Sequence, residues 1–428
     1  MDVQRFKRQQ SSGLPRRRAL GMLPNEHVVL ARVQWQRMMP VWMAKARWLV
    51  LRGSKTPILA VYRQVSTFVM EENPIRVMLL GPDTIVRATG EKYMILTSSR
   101  IRRNDTWTLA FASSGQRKRM YELVCMWIEL SMLLQNLTRL ESISKSHSSV
   151  VYRCCDRTDS SRVYAMKRVN RLRCGNEIEV TERIVSVESL QPYIARYVFM
   201  FEDSKDNTAT IVMKYYNGGS LADRIREIGP LSETIVRNVT ASLCIALYLL
   251  HQHDVLHLDV KAGNILFDTE SPRSFQNLKL VDFGSSAFLS DGQQTGKLSG
   301  TYGCMAPERF DGRHGPEADV YGAGVVLFHM VVGEIPFDGN DSYQIMAKNM
   351  QGDVSFSSSR WQRVSPQLRQ LAMCMLEKDP DRRITLPEIL RLPWLFQPHS
   401  KHELLEMPCI PSCDDVMLHS APLLGFFA

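Results

Sequence analysis

"HLDVKAGNILF" runs from His257 to Phe267 and places an aspartate, a lysine and an asparagine at 259, 261 and 264. "LKLVDFGSS" (Leu278–Ser286) and "GTYGCMAPERF" (Gly300–Phe310) follow in that order. A lone DFG is a weak signal; an ordered set of this kind in one chain is not a chance assembly. Upstream, from residue 139, short runs read as strands as far as "TIVMKYY" (Thr210–Tyr216). After "NGGS" the pattern turns helical, in "ETIVRNVTASLCIALYLLHQ", "DVYGAGVVLFHMVVG" and "SPQLRQLAMCMLEKD". A small strand-rich lobe, a larger helical lobe and one cleft between them are expected.

The motif set resembles the eukaryotic protein kinase superfamily over about residues 139–396. The resemblance implies an α+β, bilobal protein kinase fold, with ATP and Mg2+ as cofactors and proteins as substrates. Phosphoryl transfer asks a protein chiefly to position groups and neutralise charge. By resemblance, Asp259 accepts or orients the proton of the substrate hydroxyl, and Lys261 neutralises the transferring phosphate. A lysine there is similar to the serine/threonine-specific branch. Asn264 and Asp282 offer the hard oxygen ligands that Mg2+ prefers. Lys167 of "VYAMK" holds the α- and β-phosphates, and its partner is matched to Glu182, ten residues before Pro192, with Glu177 and Glu179 competing. Thr301 resembles the threonine that braces the catalytic pair, Glu308 and Arg383 the anchoring pair, and Asp319 the aspartate that holds the loop backbone. Met213 falls at the gatekeeper position, and Lys214 and Tyr216 offer backbone groups to adenine.

Two departures stand out. The glycine-rich lid of the family falls on Ser144, Ser146, Ser149 and Val151, where no glycine is present. Glycine serves in such a lid because backbone N–H groups approach phosphates closely; serine carries a Cβ and a hydroxyl able to donate to phosphate. Leu258 stands where the family often has an arginine that reads a phosphate on the activation segment, so activity without that phosphate is expected. The segment still offers Ser290, Thr295 and Ser299. The alternative to an active kinase is a pseudokinase scaffold with weakened ATP binding.

The 428 residues are 44% hydrophobic and 23% charged, ordinary for a globular chain of several domains. Residues 1–135 carry 22 Lys and Arg against 9 Asp and Glu, a net +13. The remainder carries 31 against 35, a net −4. Basicity so concentrated points to an anionic partner, a membrane headgroup or nucleic acid. Runs such as "HVVLARVQW", "ARWLVLRG", "ILAVYRQV" and "TWTLAFAS" predict antiparallel strands, and "SGQRKRMYELVCMWIELSMLLQNL" an amphipathic helix. Residues 28–135 resemble a pleckstrin-homology domain, a β-barrel or sandwich closed by a helix. By that resemblance Arg37, Lys45 and Arg47 are candidates for binding phosphoinositide phosphates, the rival being a protein-binding module blind to lipid, and nucleic acid is not expected. Residues 1–27 read as a disordered basic tail and 397–428 as a C-terminal tail. Nine cysteines without a CxxC pair fit a reduced chain. No apolar run of membrane-spanning length and no secretory signal is read, so a cytoplasmic protein recruited to membrane is expected.

Overall fold

The computed structural model describes residues 26–34, 46–52, 58–62, 74, 76–98, 105–146, 148–171, 176–203, 207–271, 273–291 and 299–396. These fall into two compact units: 26–171 together with Tyr197–Tyr215, and 176–196 together with 216–396. The C-terminal tail, most of the basic tail, Arg37, Lys45 and Thr295 lie outside the described residues. Glu26 and His27, expected in the tail, instead open the first strand.

The first unit begins with seven strands: β1 (Glu26–Gln34), β2 (Ala46–Arg52), β3 (Ile58–Tyr62), β4 (Arg76–Leu79), β5 (Ile85–Thr89), β6 (Tyr93–Ser98) and β7 (Asp105–Phe111). Their order is β4-β3-β2-β1-β7-β6-β5, antiparallel throughout. β1 is shared: Glu26–Arg32 pairs with β2, and Ala31–Gln34 with β7. In β7 alternate residues point inward, burying Asp105, Trp107, Leu109 and Phe111. Arg76 of β4 reaches Asp105 of β7 at 2.7 Å, and Ser98 of β6 donates to the Leu79 carbonyl at 2.9 Å.

Helix α1 (Ser114–Asn136) follows, with the Ser113 hydroxyl accepting from the Gln116 N–H at 3.2 Å as its N-cap. It packs on β5, β6 and β7. Met120, Val124, Trp127, Ile128 and Ser131 make one buried stripe, but Leu130 is buried off it and Leu123, Met126, Leu133 and Leu134 are partly buried. A helix apolar on more than one face is covered on more than one face. The apolar cluster around α1 runs on into a second sheet, through Cys154, Tyr164, Met166, Phe199 and Val212. That sheet contains β8 (Leu137–Lys145), β9 (Ser149–Asp156), β10 (Asp159–Asn170), β11 (Tyr197–Asp203) and β12 (Thr208–Lys214), in the order β11-β12-β10-β9-β8. β8 starts at the residue after α1 ends, so no linker separates the two sheets.

The second unit is mostly helical: α2 (Glu177–Val185), α3 (Leu221–Ile228), α4 (Glu233–Gln252), α5 (Pro316–Val332), α6 (Ser342–Gln351), α7 (Pro366–Met375) and α8 (Leu386–Ile389). Two short ladders join them, β13 (Val255–Leu256) with β16 (Ala287–Phe288), and β14 (Ile265–Phe267) with β15 (Leu278–Leu280). α4 and α5 pack on each other and form the core. By length and mean hydropathy of 1.3, α4 qualifies as a membrane span, contrary to the sequence reading; 61% of that window is buried inside the protein. Gly322 of α5 admits the loop that follows β13, since a Cβ there would meet Val260 Cβ at 2.9 Å. The strand-rich small lobe and helical large lobe expected of a kinase domain are both present.

Candidate active site

The loop 257–264 is held from three sides. The β13–β16 and β14–β15 ladders fix its ends, and the Val281 N–H donates to the Asn264 carbonyl at 3.0 Å. Behind it, buried Asp319 receives the His257 N–H on Oδ2 at 2.9 Å and the Leu258 N–H on Oδ1 at 2.7 Å. His251 Nε2 lies 2.8 Å from the same Oδ2. Leu258 and Asp282 both adopt left-handed backbone, at φ +61° and +66°. That conformation costs about 1 kcal/mol or more for a side chain other than glycine, and it persists where surrounding bonds fix it. Burial alone would raise the Asp319 pKa, yet the hydrogen bond from His251 and the groups of His257 hold it below the usual carboxylate value.

Asp259 is the centre. Its Oδ1 accepts the Thr301 N–H at 3.0 Å, and its Oδ2 accepts from Lys261 Nζ at 2.7 Å and Asn264 Nδ2 at 3.1 Å. Asn264 Nδ2 also donates to the Asp259 carbonyl at 2.9 Å, and Lys261 Nζ to Thr301 Oγ1 at 2.7 Å. Four residues expected from sequence to act together therefore meet on one carboxylate. Asp259 N–H donates to His257 Nδ1 at 3.3 Å, which leaves the ring proton on Nε2, facing the Val281 carbonyl at 3.1 Å. The Phe283 ring is buried against His257 with 5.1 Å between centroids. Arg383 grips Glu308 with two bonds, 2.6 and 2.9 Å, in a buried fork that anchors the end of the segment. Burial pushes the neighbouring Cys304 thiol up to about 12.

In the other unit, Lys167 of β10 is buried, opposite Val151 on β9 and Ile211 on β12. Met213 stands opposite Ala165 and Lys214 opposite Tyr164. The lid serines end the β8–β9 hairpin. Ser144 pairs with Val151 beside a bulge, and the Ser146 and Ser149 hydroxyls lie 2.9 Å apart. The Ser149 N–H donates to Ser146 Oγ at 3.0 Å, and the Ser146 N–H to the Ser149 carbonyl at 2.8 Å. Tyr216 sits in the helical unit, its hydroxyl accepting the Arg196 N–H at 2.8 Å; burial pushes that phenol up to about 12.

Glu182 does not lie on the inward face of α2. It is exposed, whereas Glu177 is 3% exposed and shares the inward face with Ile178, Val180, Thr181, Ile184 and Val185. Glu179 is also exposed. Arg47 is half-buried on β2, opposite Ala31. Ser290 donates to Asp254 Oδ2 at 2.6 Å, and Ser299 is half-buried. Arg309 and His251, both against the loop, had no sequence signal of their own.

With Asn264 Nδ2 committed to Asp259, the atom Asn264 has left to offer a cation is its amide oxygen, and the Asn264–Val281 bond brings Asp282 alongside in the chain. Among the described residues no three His, Cys, Asp or Glu side chains converge on a metal. Mg2+ bound by one or two protein oxygens and completed by nucleotide phosphates fits that donor set.

Comparison with protein families matches residues 137–395 to the protein kinase domain. Calcium-dependent protein kinase 3 of Oryza sativa subsp. japonica is 33% identical over 256 residues, 59% of this chain and 46% of its own length. Calcium-dependent protein kinase 13 of Arabidopsis thaliana is 32% identical over 256 residues, 59% of this chain and 48% of its own. The chain thus spans about half the length of these relatives. A carboxylate held by lysine, asparagine and threonine in one helical unit, joined to this match across well over half its residues, makes the chain a member of the protein kinase family.

Proposed function

We propose that the protein is a serine/threonine kinase that transfers the γ-phosphoryl group of ATP to protein hydroxyls. The convergence of Lys261, Asn264 and Thr301 on Asp259 carries the reading. The substrate hydroxyl oxygen bonds to the γ-phosphorus while the bond to the β–γ bridging oxygen breaks and ADP leaves. Asp259, oriented by three donors, takes the hydroxyl proton. Lys261, held between Asp259 and Thr301, offsets charge on the transferring group. Asn264 and Asp282 are the residues that would hold Mg2+, which supplies charge neutralisation on the phosphates when bound. Lys167, buried on β10, is assigned to the α- and β-phosphates.

Phosphate incorporation into a generic protein substrate is expected for the wild type and lost in Lys167→Met and Asp259→Asn. Undiminished transfer by folded Asp259→Asn sinks the assignment of that residue. No transfer by the wild type, with nucleotide still bound, favours the pseudokinase reading.

We also propose that residues 28–135 form a pleckstrin-homology-like module that binds anionic lipid at a cytoplasmic membrane face. The shared strand β1, the closing helix and the basic charge of this third support it.

A further inference from the structure

Arg309 is a buried guanidinium next to the catalytic loop, 7% exposed, on the turn Pro307–Asp311. Its Nη1 donates to the Leu258 carbonyl. The Leu258 N–H already goes to Asp319 at 2.7 Å, so both backbone polar groups of this left-handed residue are gripped, one by a carboxylate and one by a cation. The next residue is Asp259. Gly300, at φ +125°, lets the segment pass close: a Cβ there would lie 3.3 Å from both Arg309 Nη1 and the Leu258 carbonyl. Thr301, one residue on, donates to Asp259 Oδ1. Arg309, Leu258 and Gly300 therefore form one layer directly against the transfer centre.

A buried guanidinium is costly unless charges and acceptors surround it. Burial lowers its pKa, and the carboxylates of Asp319, Asp259 and Glu308 oppose that shift. The adjacent Glu308 is clamped by two hydrogen bonds from Arg383, which tether the turn that carries Arg309. Leucine at 258 has no donor of its own, so nothing on that side chain can read a phosphate.

We infer that Arg309 is a positioning residue which, from the far end of the activation segment, sets the Leu258–Asp259 backbone for transfer without a phosphate. The inference rests on the kinase reading above. It is tested on the full chain with Arg309→Met, Arg309→Lys and Arg309→Gln, by steady-state kinetics and by amide exchange of the 257–264 peptide. Arg309→Met is expected to lower kcat by at least about tenfold while ATP KM stays within about threefold. Exchange in 257–264 should quicken. Arg309→Lys, which keeps a cationic donor, should recover most of both. Should Arg309→Met not fold, the Lys and Gln variants carry the comparison. A folded Met variant within about twofold of wild-type kcat, or unchanged exchange, overturns the inference. So does glutamine recovering as well as lysine, because the cation is then not required. Phosphatase-treated wild type is expected to keep its kcat; its loss overturns this inference and leaves the kinase reading standing. A wild type inactive towards every protein substrate fails the kinase reading instead, and exchange alone then decides on Arg309.

Discussion

Asp319 gives each carboxylate oxygen to loop backbone and takes His251 in addition, while fully buried at 1% exposure. Its folded pKa lies below 3.8, and that of Glu233, bonded to Ser365 and Trp394, lies below 4.5. For a carboxylate so depressed, the unfolded chain binds protons first as pH falls. The stabilisation is therefore complete above those values and drains away below about pH 4. Asp319→Asn should lower stability by about 2–3 kcal/mol at pH 7, since it removes a buried charge and an acceptor. It should also flatten the acid slope. Urea midpoints from pH 7 to pH 3 check both; a variant with the wild-type slope refutes the assignment. The residues around Asp259 were readable because they sit in short ordered runs with fixed spacing. Arg309 was not, because "APERF" gives no sign that its arginine is buried rather than solvated, and only packing against Gly300 reveals it.

The β8–β9 hairpin shows how an element can satisfy itself. Ser146 and Ser149 close the tip on each other, so their hydroxyls are not held ready for phosphate. Ser146→Ala removes two of these bonds, each worth about 0.5–1 kcal/mol. A looser tip should raise ATP KM about threefold and leave kcat nearly unchanged. An unchanged KM would mean that the tip does not meet nucleotide. Helix α4 was legible to the residue, because its apolar periodicity is continuous over Glu233–Gln252. Helix α2 was legible as a helix by resemblance. The apolar positions 178, 180, 184 and 185 and the hydroxyl of Thr181 share the buried face with Glu177, and Glu182, matched by counting back from Pro192, lies on the exposed one.

At the scale of the molecule, the basic third is not a separate bead. α1 carries its apolar surface into the five-stranded sheet, and β8 continues from it without a break. The sequence showed where strands gave way to a helix at 114–136 but not that the helix has two covered faces, since its second stripe has partners only in strands that come later in the chain. Lipid binding is accordingly a property to measure on the whole chain. It should bind anionic vesicles and not neutral ones, weaken as salt shortens the screening length from about 10 Å at 0.1 M, and weaken in Arg47→Ala. Equal binding to both vesicle types would argue for a protein partner instead. The shared core also has a consequence for biosynthesis. Phe199 and Val212 belong to the cluster around α1, yet they are translated well after Asn136. At about 5–20 residues per second, several seconds pass between release of the helix and arrival of the strands that complete its cover. Through that interval the nascent chain exposes an apolar helix face, and it is there that a ribosome-bound chaperone is expected to engage it.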